Sequence, residues 1–340
     1  MKKWLLNILV FLLFWMQNSK AQDVHFSQYF TLPMLTNPAY AGIHNESKIG
    51  LIYRNQYNAL PSSYISYGVC YDAYSPKLHG GIGLEVVKDD VGNGILQNQH
   101  AAFSYAYQNA ITKKIAFSFG MEAICNFNTI NVSKIVVYDM LSQQTGDVIQ
   151  SLQNVENFNS ATSKIFMDVN AGGVIFNDNF YAGFGITHLA KPDDAWVGSH
   201  IVPMLLNLQA GYLFRPKDVK KRNDTWYFSP NIYYLNQQNM HEINFTALAG
   251  LGNAQAGIGY RNASNGDAMI FHLAFLNGIF RIGYSYDFNI STKYFSPRNA
   301  HEISIQYIFK RKKRTTGEND WSINETNNKN HRIKCPNFFR

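Results

Sequence analysis

Between Lys114 and Phe127 the odd positions read Ile115, Phe117, Phe119, Met121, Ala123, Cys125 and Phe127, and the even ones Lys114, Ala116, Ser118, Gly120, Glu122, Ile124 and Asn126. A period of two sustained over that distance predicts a strand with one apolar face, longer than most strands of a small soluble sheet. The pattern returns near the end. Phe280, Ile282, Tyr284, Tyr286 and Phe288 alternate with Arg281, Gly283, Ser285 and Asp287, and Ile303, Ile305, Tyr307 and Phe309 alternate with Glu302, Ser304, Gln306 and Ile308. The same reading predicts strands near 48–58, 63–73, 78–88, 96–108, 114–127, 165–176, 179–188, 204–214, 225–235, 241–250, 253–261, 269–275, 278–287 and 301–309, fourteen in all. No part of this body has a sustained helical period. An even count suits a bacterial barrel with both termini on the periplasmic side.

Two architectures use long alternating strands. A soluble sandwich packs its apolar faces together, whereas a membrane barrel turns them to lipid and lines its lumen with small and polar groups. The weaker face decides. Gly81, Gly83 and Glu85, Gly183, Gly185 and Thr187, and Gly257, Gly259 and Arg261 share registers too small and polar for a packed core. The expectation is therefore an all-β transmembrane antiparallel barrel of about fourteen strands. With the first strand rising from the periplasm, the polar segments 128–164 and 189–203 follow odd-numbered strands and are expected outside the cell.

Composition sharpens this picture. The chain is 15% aromatic but only 16% charged, against a usual charged share of about 25%. Lys2 and Lys3 precede an apolar run from Trp4 to Met16, and Ser19-Lys20-Ala21 offers small residues before a cut between Ala21 and Gln22. That is the order of a secretory signal peptide, and a run of thirteen residues makes a poor membrane anchor. The segment 310–340 carries nine Lys/Arg and three Asp/Glu, so the formal +7 is a property of the two ends. A broad nucleic-acid face, which needs clustered basic residues on a folded surface, is not expected. Cys70, Cys125 and Cys335 are too few and too scattered for a disulfide framework or a zinc site.

Signs of catalysis are weak. His79-Gly80-Gly81-Ile82-Gly83 has no nucleophile elbow to accompany it, and the ten histidines show no ligand spacing. Asp89-Asp90 and Asp193-Asp194 read as solvated turns. Neither an enzyme nor a cofactor is expected.

Directly after the cleavage site stands Gln22-Asp23-Val24-His25-Phe26-Ser27-Gln28-Tyr29-Phe30, followed by Asn37-Pro38-Ala39-Tyr40-Ala41-Gly42 and Tyr53-Arg54-Asn55-Gln56-Tyr57. Gly259-Tyr260-Arg261, Gly283-Tyr284-Ser285-Tyr286-Asp287 and His301-Glu302-Ile303 follow in order. This ordered set, from Gln22 to about Phe309, resembles the PorP/SprF family of Bacteroidetes outer-membrane proteins of the type IX secretion and gliding machinery. Tyr57 departs from the family's frequent Trp, and the tail varies. The resemblance implies a non-enzymatic barrel that works with secretion-machinery proteins, some members serving export or surface attachment of a large adhesin recognised through its C-terminal domain. A porin or solute transporter is the alternative.

These readings divide the chain into a signal peptide (1–21), an N-terminal plug or leader (22–47), the barrel (48–309) and a basic periplasmic tail (310–340). A fourteen-strand barrel is too wide for side chains alone to fill. The aromatic, proline-bearing leader, with Phe26, Gln28, Tyr29, Asn37, Pro38, Ala39, Tyr40 and Gly42, is the candidate occupant. Arg54, Glu85, Glu122, Glu242, Arg261, Arg281, Asp287 and Glu302 fall on the expected lumen face, where they pair with one another or hold the plug or a partner. Lys310, Arg311, Lys312, Lys313 and Arg314 form a cationic run suited to anionic outer-membrane lipid or an acidic partner.

Overall fold

The computed structural model describes residues 25–44, 46–57, 64–136, 162–196, 198–216, 226–264, 266–291 and 299–309. The expected signal peptide with Ala21 and Gln22, the cationic run from Lys310, Cys335 and the middle of the 128–164 segment lie outside these residues.

Fourteen antiparallel strands close on themselves: β1 (Ser47–Gln56), β2 (Tyr64–Ser75), β3 (Gly80–Val91), β4 (Leu96–Ala110), β5 (Ala116–Ile130), β6 (Thr162–Phe176), β7 (Phe180–Thr187), β8 (Leu205–Tyr212), β9 (Trp226–Gln237), β10 (Met240–Leu251), β11 (Ala254–Ala263), β12 (Ala268–Asn277), β13 (Phe280–Asn289) and β14 (Ala300–Phe309). Each pairs with its sequence neighbours, and β1 pairs with β14 to complete the ring. Closure leaves no sheet edge to satisfy, which is what lets strands exist in a solvent without hydrogen-bonding partners. The longest connections, 131–161 and 188–204, follow the odd-numbered strands β5 and β7, which finish at one end of the ring. Two-residue turns at 252–253 and 278–279 occupy the other end, where β1 begins and β14 finishes.

Polarity is inverted relative to a soluble protein. Leu51, Phe103, Met121, Met167, Phe271, Leu273 and Ile305 are exposed, while Arg54, Asp72, Glu122, Asp287 and Glu302 are buried. So broad an apolar surface would drive a soluble chain to aggregate, and it matches the band that meets hydrocarbon. The inner face is joined laterally by polar bonds between facing residues. Arg54 faces Glu302 across the closing seam, and Lys48 faces Asp72 at 3.4 Å. Glu122 of β5 accepts from Ser104 of β4 at 2.6 Å and from Asn170 of β6 at 2.9 Å.

The expectation for Asp89 needs correction. It is not in a solvated turn: β3 runs on to Val91, and Asp89 points inward, 1% exposed, accepting a 2.6 Å bond from Ser66 opposite it on β2. The Asp-Asp pair reads as a turn by composition, but an inner-face carboxylate with a hydroxyl across the ladder is stable in a strand.

Lipid contact makes a direct expectation. Phe103→Arg, at the middle of β4 on the outer face, is expected to lower stability in liposomes by about 2–4 kcal/mol. Ile111→Arg, in the turn after that strand, is expected to cost about 0–1 kcal/mol. Urea titration of vesicle-refolded protein measures both, and equal costs would mean the outer face does not meet hydrocarbon.

Candidate functional site

The inner wall is met by residues 25–44, almost all buried. Two prolines set their local shape. Pro33–Leu35 and Pro38–Tyr40 form short 3-10 turns with proline at the start, where its missing N–H costs nothing. Asn37 caps the second turn, its Oδ1 accepting from the Ala39 N–H at 2.9 Å while its Nδ2 donates to the Phe184 carbonyl at 2.8 Å.

A segment without regular structure carries backbone groups that must find partners, and wall side chains supply them. Glu302 accepts from the adjacent N–H groups of Ser27 and Gln28 at 2.9 and 2.8 Å. Asp72 accepts from the Gly42 N–H at 3.1 Å. Asn207 donates to the Thr36 carbonyl at 2.8 Å, Ser118 to Ala39 at 2.6 Å and Gln108 to Ala41 at 2.9 Å, while Gln306 donates to Thr31. Aromatic contacts add shape: Tyr29 stacks on Tyr233 at 4.8 Å, Phe30 meets His272 edge-on at 5.2 Å, and Tyr40 meets Tyr181 at 6.3 Å.

At Ser27 the charges converge. Its hydroxyl donates to Asp287 at 2.6 Å and accepts from Arg54 at 2.8 Å and Arg261 at 3.2 Å. Arg54 also pairs with Asp287 and Glu302, each at 2.9 Å, and Arg261 with Asp287 at 3.0 Å. Two guanidinium and two carboxylate groups balance formally, so the cluster can be buried without a net charge. His25 meets Glu242 at 3.0 Å beside it.

Small wall residues give the segment room. A Cβ at Gly81 would lie 1.9 Å from the Ala41 carbonyl oxygen, and one at Gly120 would lie 2.4 Å from the Ala39 nitrogen. The neighbouring atoms are backbone in both cases, so no side-chain rotation could relieve either contact.

The residues named from sequence therefore separate into two groups. Phe26, Gln28, Tyr29, Asn37, Pro38, Ala39, Tyr40 and Gly42 lie in the buried segment, and Arg54, Arg261, Asp287 and Glu302 meet it around Ser27. Arg281 sits over the Phe30 ring at 5.8 Å and donates to Gln255. Glu85 and Glu122 bond to the wall instead: Glu85 lies 3.3 Å from His100, and Glu122 is held by Ser104 and Asn170. Sequence reasoning missed Ser27, Lys48, Asp72, Asp89 and Asp168. All but Ser27 follow from extending the inward register along their strands.

Above the segment, at the end bearing the odd-strand connections, lies a cavity of about 230 Å³. Its rim includes the turn at Asp193, whose carboxylate is held well below the usual range by the N–H groups of Ala195 and then His200. Asp194 bonds to His200 at 2.6 Å and lines the cavity. Among the described residues no group of three or more His, Cys, Asp or Glu could hold a metal ion.

The sequence over residues 18–307 matches the family described as type IX secretion system membrane protein PorP/SprF. The chain belongs to the PorP/SprF family. No curated protein matches it. Among solved structures, this PorP/SprF chain is similar to the Pseudomonas putida toluene transporter TodX, with 10% identity, 84% of this chain and 94% of the other covered, and a TM-score of 0.45. A TodX deltaS2S3 mutant, a monoaromatic hydrocarbon channel, gives 12%, 81%, 93% and 0.46. BamA of Haemophilus ducreyi lacking POTRA domains 1–3 gives 9%, 78%, 70% and 0.38. A type IX secretion family and a ring with a greasy exterior together make it a membrane β-barrel.

Proposed function

We propose that this protein is a non-enzymatic outer-membrane barrel, closed by its own N-terminal segment, that supports export or surface attachment of a secreted adhesin-like protein by the type IX machinery. The observation that carries the proposal is the hydrogen bonding of residues 25–44 by wall side chains from both halves of the ring, from Asp72 and Gln108 to Asn207 and Glu302. A solute pore needs a bore open to solvent. A wall whose donors and acceptors are spent on the chain's own backbone suits a scaffold that binds partners at its rims. Its partners are then secretion-machinery proteins, the C-terminal domain of the adhesin and, through Lys310–Arg314, outer-membrane lipid.

Two measurements test this. In planar bilayers the full-length chain is expected to be electrically silent, and removal of residues 22–47 is expected to produce steady conductance. Pull-down of the tagged chain from outer membranes is expected to recover secretion components, and its deletion to remove an adhesin from the cell surface. Conductance by the full-length chain, unaltered by the truncation and with no secretion component recovered, would favour a porin.

A further inference from the structure

The ladder around the ring has a step at β6. β5 and β6 pair along their full length, from Ala116 opposite Phe176 to Ile130 opposite Thr162, but β7 meets β6 only from Phe176 to Ala171. Beyond Ala171, β6 runs on to Thr162 with β5 on one side and no strand on the other. The connection after β7 passes close by without pairing. Among the described residues, the single backbone bond made to this stretch from that side runs from the Leu189 N–H to the Val169 carbonyl, at 3.0 Å. Farther along, contact is through a side chain: Lys164 Nζ donates to the Asp193 carboxylate at 3.2 Å and to the Ala195 carbonyl at 2.6 Å. Lys164 shares the inward register with Phe166 and the buried Asp168, so Asp193 and Ala195 are held from the lumen side and the edge itself stays open.

Backbone groups alternate between the two edges of a strand with the same period of two as its side chains. The Val169 carbonyl points to the β7 side. The N–H and C=O groups of Ser163, Ile165 and Met167 therefore point there as well, while the even-numbered residues serve β5. A second observation is apolar. Met167 and Ile165 are 69% and 64% exposed, the highest values among the large apolar side chains described, because no strand flanks them on that side. The outer face turns polar at this height: the Ser163 and Thr129 hydroxyls share a 3.2 Å bond, and Gln97 of β4 faces Thr129. Unpaired backbone groups are untenable in hydrocarbon. This edge thus belongs to the border of the apolar band, where water satisfies it and another polypeptide can displace that water.

We propose that the free edge of β6 from Ser163 to Met167 docks an extended strand of another protein, which joins the wall by main-chain hydrogen bonds. The two faces of the wall define its chemistry. Side chains beside Ile165 and Met167 are apolar, and those beside Lys164 and Asp168 are polar, so the docked segment repeats the alternation of the barrel's own strands. A second copy of this chain does not fit. Upright in the same membrane, its β6 runs in the same direction, and antiparallel pairing would require an inverted barrel. The proposal goes beyond the secretion reading and stands without it, because it concerns binding by the isolated chain.

The test uses the full-length chain in lipid nanodiscs and a fluorescent peptide of alternating threonine and valine. Paired residues of a ladder share a face, so the valines, placed beside Ile165 and Met167, carry the bonding N–H groups. The same peptide N-methylated at its valines keeps the side chains and loses those donors. Fluorescence anisotropy is expected to show the plain peptide binding at least about tenfold more tightly, about 1.4 kcal/mol. Hydrogen exchange resolved to single residues is expected to slow at the Ile165 and Met167 amides on binding and to stay unchanged at Lys164 and Phe166, already paired to β5. Met167→Pro removes one donor from an edge where proline is tolerated, and, once heat-modifiable gel mobility shows a folded barrel, is expected to lose about tenfold. Equal affinity for the two peptides, absence of binding, protection elsewhere than β6, or undiminished binding by folded Met167→Pro would overturn the proposal. So would a dimer that the peptide dissociates, which would name a second copy as the occupant. The peptide comparison on the unaltered chain stands even if Met167→Pro fails to fold.

Discussion

Replacing Arg54 with Met is expected to destabilise the barrel by about 3–5 kcal/mol, the usual cost of removing one member of a buried ion pair. Arg54 is 2% exposed and serves Asp287, Glu302 and Ser27 together, so its loss leaves carboxylates that no water reaches. Asp287 keeps Arg261, and Glu302 keeps two N–H donors, so the damage falls on charge balance more than on hydrogen bonding. The same substitution in an Asp287→Asn, Glu302→Gln background is expected to cost much less. Urea midpoints of liposome-refolded protein, combined as a double-mutant cycle, measure the coupling. Additive costs would mean that the three charges act separately.

Gly81→Val combined with Gly120→Val is expected to unseat residues 38–42 while the strands stay paired. Each added Cβ meets the segment's own backbone, which no rotamer change can move aside, and overpacking costs about 1–3 kcal/mol per site. The displaced segment should then be trimmed by proteinase K, and the barrel should conduct in bilayers. Gly259→Ala is the control, since a Cβ there meets nothing nearer than 3.3 Å. Full protection of the double variant against proteolysis would show that the contact is not tight in solution.

The wall was legible because a two-residue period with a small, polar inner register has few physical explanations. Exposure of Leu273 and Ile305 beside burial of Asp287 and Glu302 is that pattern in three dimensions. Strand ends were less legible where an inward carboxylate imitates a turn, as at Asp89. The contacts of the segment were harder still. Periodicity tells which face Glu85 and Arg54 share, but not where around the ring each stands. One faces a histidine-lined cavity and the other a neutral cluster. Ser27 carried no signal of its own, since a serine in an aromatic leader resembles any other. Its role depends on Arg54, Arg261 and Asp287 arriving from three different strands.

That convergence links the two extremes of the polypeptide. Ser27 belongs to its earliest described stretch, and Glu302, which grips the Ser27 and Gln28 amides, to the strand laid down last. Arg54 lies opposite Glu302 where the first and final strands zip together. The residues that fasten the first strand to the final one therefore also hold the Ser27 and Gln28 amides, across a separation of 248 positions between Arg54 and Glu302, and contacts so remote along a chain carry a large loop-closure cost that slows folding.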